Sequence, residues 1–472
     1  MFDSGVHSWA YRRRRAMNWI PLGLAYAFFY MGRYNLTVAK SALGDLMPTA
    51  EFGTIFAVGA WAYGLSFLFT GPLVDKVGGR IGMLIGTGGT IVINTLMGLV
   101  LYGITYWDWD VSIYWTFMVL YALNMHFQSY GAISIVTIKA PWFHVNERGT
   151  FSTIFGIMIS LGVYFAFDWG YALMSATRAT IERELGFFGN LFQSLLGTGG
   201  AGVDQNWWLF FLPAIILSAL WFVMYGWMKN TPSEAGYADF DTGEGSLSSG
   251  GEREPMRRVF KKILTHPVLF WVCMVEFCSG ILRNGVMHWY PIFAKQVGFK
   301  YEFFVSNNWG LCLLLAGVTG AYLTGRLSDK LFNSRRAPMA TIMYVVMFLG
   351  AIVMAATIDS PQLWYAGSMT LLMSMAVIGV HGIFSGTATA DFAGTKNTGA
   401  AVGIVDGIVY LGAGIQSFAI GNYFTPVGEA AKTASNWSEW PMFLIPFAFL
   451  GILFACKIWN ALPENPKTTA TA

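Results

Sequence analysis

Charge is what this sequence has least of. Asp, Glu, Lys and Arg make up only 12% of 472 residues, while 55% are hydrophobic; a soluble domain carries about 25% charged residues. Mean hydropathy is +0.50. So little charge cannot cover a water-facing exterior, which excludes a soluble multidomain protein and leaves an all-α protein that crosses a membrane many times. The balance of 29 basic and 26 acidic residues gives a net charge of +3, with no one-sided field for a nucleic-acid partner. Cysteine is equally scarce. Cys273, Cys278, Cys312 and Cys456 all lie in apolar stretches, with neither metal-ligand spacing nor a disulfide framework. The sequence also lacks a nucleophile, base and oxyanion constellation, so it suggests neither an enzyme nor a cofactor or metal.

What is present is long apolar runs. With roughly 20 apolar residues needed for one crossing, twelve spans are predicted near 17–40, 51–75, 80–104, 112–138, 149–175, 207–229, 266–294, 303–329, 338–358, 363–390, 399–424 and 439–460. The run Arg12 to Arg15 leads into the first span without a small-residue cleavage site, so that span is expected to be retained. The polar, Gly/Ser-rich stretch 231–264 divides the spans six and six, giving bundles over 1–230 and 265–472 joined by a flexible cytoplasmic linker. The stretch 177–206 mixes Phe and Leu with glycine and reads as an amphipathic piece on the outer interface. Lysine and arginine placement sets orientation. Arg12 to Arg15, Lys76, Arg80, Lys139, Arg148, Lys229, Arg253, Arg257, Arg258, Lys261, Lys262, Arg326, Lys330, Arg335, Arg336, Lys396, Lys457 and Lys467 fall on one side, with Lys40, Arg178, Arg183, Lys295, Lys300 and Lys432 on the other. Both termini are therefore expected in the cytoplasm, in a bacterial inner membrane.

The halves echo each other. GPLVDK (Gly71 to Lys76) recurs as GRLSDK (Gly325 to Lys330), Gly149 matches Gly399, and Arg33 in span one matches Arg283 in span seven. A six-span repeat signals two pseudo-symmetric bundles with a substrate site near mid-membrane. Arg33 and Arg283 are also the cations left inside spans once loop charges are assigned. Each costs about 2.5 to 3.5 kcal/mol to insert, so each needs a partner or a water-filled cavity. One reading is a fixed ion pair, with Glu276 two turns before Arg283 or Asp406 in span eleven as the acid. The other is ligand binding. Two guanidinium forks match the oxygens of one dianion, which favours a phosphorylated anion over a monocarboxylate. Tyr26 and Tyr30 share a helical face with Arg33 and can offer hydroxyls to the same ligand. His126, His288 and His381 are intramembrane, where a histidine is either hydrogen-bonded packing or a proton or ligand partner.

Four strings together, YAFFYMGRYN in span one, LRNGVMHWYP (Leu282 to Pro291), WFHVNERG (Trp142 to Gly149) and AGTKNTGAAVG (Ala393 to Gly403), resemble the organophosphate:phosphate antiporter group of the major facilitator superfamily. The resemblance spans nearly the whole chain. It implies the major facilitator fold with twelve transmembrane helices, phosphate binding by Arg33 and Arg283, and a cavity lined by Tyr26, Tyr30 and Gln128. Among the histidines, His288, five residues beyond Arg283, is the candidate for a further substrate contact. GPLVDKVGGR matches the loop motif of the wider superfamily. Asp406, in GIVDGIVYLG, looks more like the eukaryotic sugar-phosphate exchanger branch. Two positions depart from the glycerol-3-phosphate carriers: Ile159 stands where they place a histidine, and Tyr34 where a lysine is common.

These readings lead to an expected transporter, functional as a monomer, that exchanges an organic phosphate ester for inorganic phosphate by alternating access. Asp75, Lys76, Arg80, Asp329 and Lys330 are the expected gating contacts, and Glu276 and Asp406 the coupling or ion-pair candidates. The rivals are a proton-coupled organic anion symporter and a transporter-like sugar-phosphate sensor.

Overall fold

The computed structural model describes residues 8–144, 148–181, 184–198, 202–239, 242, 256–333, 335–388 and 398–461. It is 84% helical, with no strand among the described residues. In chain order the helices are α1 (Trp9–Leu43), α2 (Thr49–Val77), α3 (Gly79–Tyr106), α4 (Ile113–Trp142), α5 (Arg148–Tyr164), α6 (Gly170–Ala176), α7 (Phe187–Leu196), α8 (Trp208–Trp227) and α9 (Met256–Thr265). They continue as α10 (Leu269–Met287), α11 (Trp289–Val297), α12 (Phe304–Asn307), α13 (Trp309–Phe332), α14 (Arg336–Thr357), α15 (Trp364–His381), α16 (Thr398–Tyr423) and α17 (Glu439–Lys457). Two π-helical turns interrupt them, Phe165–Trp169 between α5 and α6, and Gly382–Ala388 after α15. Part of WFHVNERG (145–147), part of AGTKNTGAAVG (393–397), most of the 231–264 linker, and Arg183, Lys396 and Lys467 lie outside the described residues.

Ten helical segments among the described residues are long and apolar enough to cross a membrane. The two other expected spans are α1 and α4, at 35 and 30 residues long enough to cross, but more polar than that group. The reason is visible in their sequences: α1 carries Arg33 and Asn35, and α4 carries Asn124, His126 and Gln128. The two helices that lose the plain membrane signature are thus those that carry Arg33 and Gln128.

The chain divides into two compact units, one of Met1–Ala42 with Ser66–Gly250, the other of Leu43–Leu65 with Gly251–Ala472. In the first, α1 crosses α5 where Gly162 meets the Ala27 backbone, so closely that a Cβ would lie 2.4 Å from the Ala27 carbonyl oxygen. Small residues at such crossings let helix backbones approach where lipid offers no hydrophobic drive to associate. The basic end of this unit caps helix C-termini. Arg14 donates to the Trp227 carbonyl, Arg80 to that of Tyr225 and Arg15 to that of Trp142, placing positive charge on exposed carbonyls where the helix dipoles favour it. In the stretch 177–206, α7 packs Phe188 and Phe192 on Trp169 and leaves Phe187 and Leu195 exposed, the amphipathic pattern read from the sequence.

The second unit packs α10 against α16 at Gly280, where a Cβ would sit 2.0 Å from the Val409 carbonyl oxygen. The N-terminal part of α2 joins this unit along the same helix. Trp61 Nε1 donates to the Leu411 carbonyl, and the rings of Tyr63 and Tyr410 are 4.3 Å apart. The sequence reading did not anticipate α9, a helix lying mostly within the expected linker. Its Val259 and Ile263 are buried, while Arg258, Lys261 and Lys262 are exposed, so amphipathicity rather than overall hydrophobicity holds it in place.

Candidate functional site

Arg33 is fully buried in α1. Its Nε donates to Gln128 Oε1 at 2.9 Å, and its guanidinium carbon lies 4.9 Å from the centre of the Tyr30 ring. The acceptor is itself held: Gln128 Nε2 reaches Asn124 Oδ1 at 3.4 Å, and Asn94 donates to the same oxygen at 3.0 Å. Asn124 in turn donates to the Gly32 carbonyl and Asn35 to Asn94, while Tyr121 donates to the carbonyl of Arg33 itself. Sequence reasoning found Gln128 but not Asn35, Asn94, Asn124 or Tyr121. A lone amide in an apolar span was the available signal, since a buried amide needs partners on neighbouring helices. The chain of amides fixes one edge of the guanidinium through a neutral acceptor and leaves the arginine's charge uncancelled by that bond. The Tyr30 ring packs edge to face on that of Tyr26 at 5.7 Å and on that of Tyr34 at 5.4 Å.

In the second unit Arg283 is half-buried on α10, its guanidinium carbon 5.8 Å from the centre of the Tyr410 ring. Glu276, fully buried two turns earlier on α10, pairs with His381 of α15, Oε2 to Nδ1, at 2.8 Å. The sequence offered Arg283 as its partner. Its other oxygen, Oε1, has no hydrogen-bond partner among the described residues. Asp406 of α16 is hydrogen-bonded by Ser385 and lies within electrostatic reach of His381, Glu276 and Arg283; its Oδ1 is buried without a partner among the described residues. The structure thus gathers both acid candidates, one histidine and Arg283 from three helices and a π-helical turn. His288 is 1% exposed, shares a hydrogen bond with Asn284 at 3.2 Å and packs its ring 4.4 Å from that of Phe56. His126 shares a 2.8 Å bond with Ser66.

Of the expected gating residues, Asp75 and Lys76 are exposed at the end of α2, and Arg80 binds Tyr225 and, through its backbone, Asn230. Asp329 pairs with Arg336 at 2.7 Å, and Lys330 is exposed. No group of three or more His, Cys, Asp or Glu that could hold a metal ion occurs among the described residues.

The chain is similar to a glycerol-3-phosphate transporter of Bacillus subtilis (strain 168), 23% identical with 96% of this chain and 94% of that one covered. It is 22% identical to a probable hexose phosphate transport protein of Chlamydia pneumoniae, covering 99% and 96%, and 24% identical to the membrane sensor protein UhpC of Salmonella typhimurium, covering 98% and 95%. Among solved structures it resembles a bacterial homolog of the human lysosomal transporter Spinster in an inward-facing, unoccupied conformation, with TM-score 0.68, 15% identity, and 96% and 98% covered. It also resembles the xylose transporter XylE from E. coli, with TM-score 0.64, 14% identity, and 94% and 99% covered. The family model of the Major Facilitator Superfamily matches residues 22–417, and the chain, a multi-pass transporter rather than an enzyme, belongs to that superfamily.

Proposed function

We propose that this protein moves a phosphorylated organic anion across a bacterial inner membrane by alternating access, in exchange for inorganic phosphate. The observation that carries the reading is Arg33, a fully buried guanidinium whose Nε donates to the neutral oxygen of Gln128 at 2.9 Å. The bond to Gln128 fixes the plane in which the guanidinium is presented, and its planar fork suits phosphate oxygens. Arg283, half-buried beside the Tyr410 ring, is the second guanidinium assigned to the substrate, with Tyr26, Tyr30 and Gln128 assigned beside Arg33. The curated relatives named for glycerol-3-phosphate and hexose phosphate support a sugar phosphate or polyol phosphate as substrate. Asp75, Lys76, Arg80, Asp329 and Lys330 are assigned to gating at the cytoplasmic face, both termini lie on that side, and the monomer is the working unit.

Proteoliposomes test this directly. Glycerol 3-phosphate and glucose 6-phosphate uptake should accelerate when phosphate is loaded inside, and uptake indifferent to internal phosphate would rule out exchange. A second reading is favoured by the 24% identity to a membrane sensor protein over 98% of the chain. A sensor would bind the same esters with no measurable flux, so the same vesicles separate the two.

A further inference from the structure

The apolar side of α9 is wider than the protein covers. Successive helix positions stand about 100° apart, so Val259 and Ile263 form one strip of this helix, and Phe260 and Leu264 form a second, roughly a quarter-turn on. α9 packs against α10 and α16, and the first strip is the buried one. The second is open, with Phe260 38% and Leu264 36% exposed. The rest of the circumference carries charge of one sign. Arg258 and Lys261 are exposed there, and the helix sequence MRRVFKKILT contains no acidic residue. Phe and Leu on one side with Lys and Arg on the other suit a helix that lies in the plane of a membrane surface.

The position of α9 brings it to that surface. α9 ends at Thr265, and α10 opens a segment, Leu269–Val297, that is long and apolar enough to cross a membrane. Only His266 to Val268 lie between them, and that turn is fixed: His266 Nδ1 accepts from the backbone N–H groups of Val268 and Leu269, each at 3.2 Å. α17 marks the same level. The ring of Trp271, near the start of α10, lies 5.6 Å from that of Phe454, and just beyond Phe454 the helix ends in exposed Lys457, followed by Trp459 at 38% exposure. Tryptophan at the end of a span favours the headgroup level. The open strip of α9 therefore sits where headgroups and the first acyl carbons begin.

We propose that α9 is a membrane-surface anchor: Phe260 and Leu264 reach the boundary between headgroups and acyl chains, and Arg258 and Lys261 bind the phosphate groups of anionic phospholipids. The apolar pair sets depth, and the cations set preference. A zwitterionic headgroup presents phosphate with its own ammonium as counter-charge, whereas an anionic leaflet has a negative surface potential, worth about fivefold in affinity for each lysine or arginine held close to it. The buried strip ties the anchor to α10 and α16, so lipid holds α9 from one side and the second unit from the other.

Hydrogen exchange of the full chain, held as single copies in nanodiscs, tests this. Discs of phosphatidylcholine alone are compared with discs of equal parts phosphatidylcholine and phosphatidylglycerol. The α9 amides are expected to exchange more slowly in the anionic discs, and added salt to shrink the difference by screening. Replacing both cations, Arg258→Gln with Lys261→Gln, should abolish it, whereas Lys261→Arg should keep it. With Lys261→Gln alone, the phosphatidylglycerol fraction that gives half the protection should rise about fivefold. Phe260→Gln with Leu264→Gln should speed α9 exchange in both kinds of disc. All four side chains are exposed, so exchange in α10 and α16 should stay unchanged and report that each variant is folded. Equal exchange of wild type in the two kinds of disc, or a lipid effect that survives loss of both cations, would overturn the proposal. So would protection produced in phosphatidylcholine discs by inorganic phosphate, which would make this a site for a soluble anion. Protection seen only in discs that hold two chains would assign the open strip to a second copy and overturn it likewise.

Discussion

At the scale of single residues, Arg33 and Gln128 illustrate how a buried guanidinium is held in one orientation. The Nε–Oε1 bond of 2.9 Å fixes the plane of the fork, and the amides behind it keep Gln128 from rotating away. Lysine in place of Arg33 keeps the charge but loses the planar two-point donor. Charge-assisted bonds are worth about 1.5 to 3 kcal/mol, so Arg33→Lys is expected to weaken phosphate binding about tenfold to a hundredfold, read by calorimetry. Near-normal affinity in that variant would remove Arg33 from the site. Asn124 does a different job. It accepts from Asn94 and Gln128 and donates to the Gly32 carbonyl, so Asn124→Leu strands several buried polar groups at once. Leaving such groups unsatisfied costs about 1 to 3 kcal/mol each, and a marked fall in the thermal unfolding temperature is the expected result. An unchanged midpoint would mean the amide chain is not structural.

At the scale of elements, helix contact is governed by glycine. Gly280 of α10 lies against the Val409 carbonyl of α16, where an added Cβ would sit at 2.0 Å. Gly280→Ala must therefore push the two backbones apart, at about 1 to 3 kcal/mol for overpacking, and move Arg283 relative to Asp406. Gly156→Ala, with nothing within 4 Å of its added Cβ, is the matched control and should leave unfolding nearly unchanged. Equal behaviour of the two would argue against close backbone packing at α10 and α16. How much of these elements was legible from sequence follows the same physics. Apolar runs of span length report on lipid, so ten crossings stand out by hydropathy, and α1 and α4 are recognisable chiefly by length. Arg33 and Arg283 stood out because a charge inside a span is expensive. The bond between Glu276 and His381 was not legible, because the partners are 105 residues apart and nothing in local periodicity links α10 to α15. Asn94 and Asn124 were passed over for a related reason, since one amide in an apolar helix is indistinguishable from a tolerated polar residue until its partner helix is known. α9 was hidden by its charge, which made an amphipathic helix read as part of a linker.

At the scale of the whole molecule, the scarce charge is unevenly placed. In the first unit Arg14, Arg15 and Arg80 gather where α4 and α8 end, each on a C-terminal carbonyl, with Trp227 at the end of α8 exposed nearby. The α3–α4 connection carries no basic residue; it has Asp108 and Asp110 with exposed Trp107 and Trp109. Tryptophan favours the headgroup level at both surfaces, whereas lysine and arginine are retained on the cytoplasmic side. The unit therefore has a basic end and an acidic, aromatic end, and the bias predicts which one stays inside. A fluorescent reporter that folds only in the cytoplasm should be bright when fused after Lys229 or after Lys457, and dark after Asp108. A phosphatase active only after export should give the reverse pattern. The opposite result at any of these three points would mean an inverted chain or a miscounted span between the fusion site and the N-terminus. Replacing Arg12 to Arg15 with alanine removes four of the charges that set this bias, so fusions after Lys229 should then become mixed, while those after Lys457 hold their orientation through Lys261, Lys262, Lys330 and their neighbours.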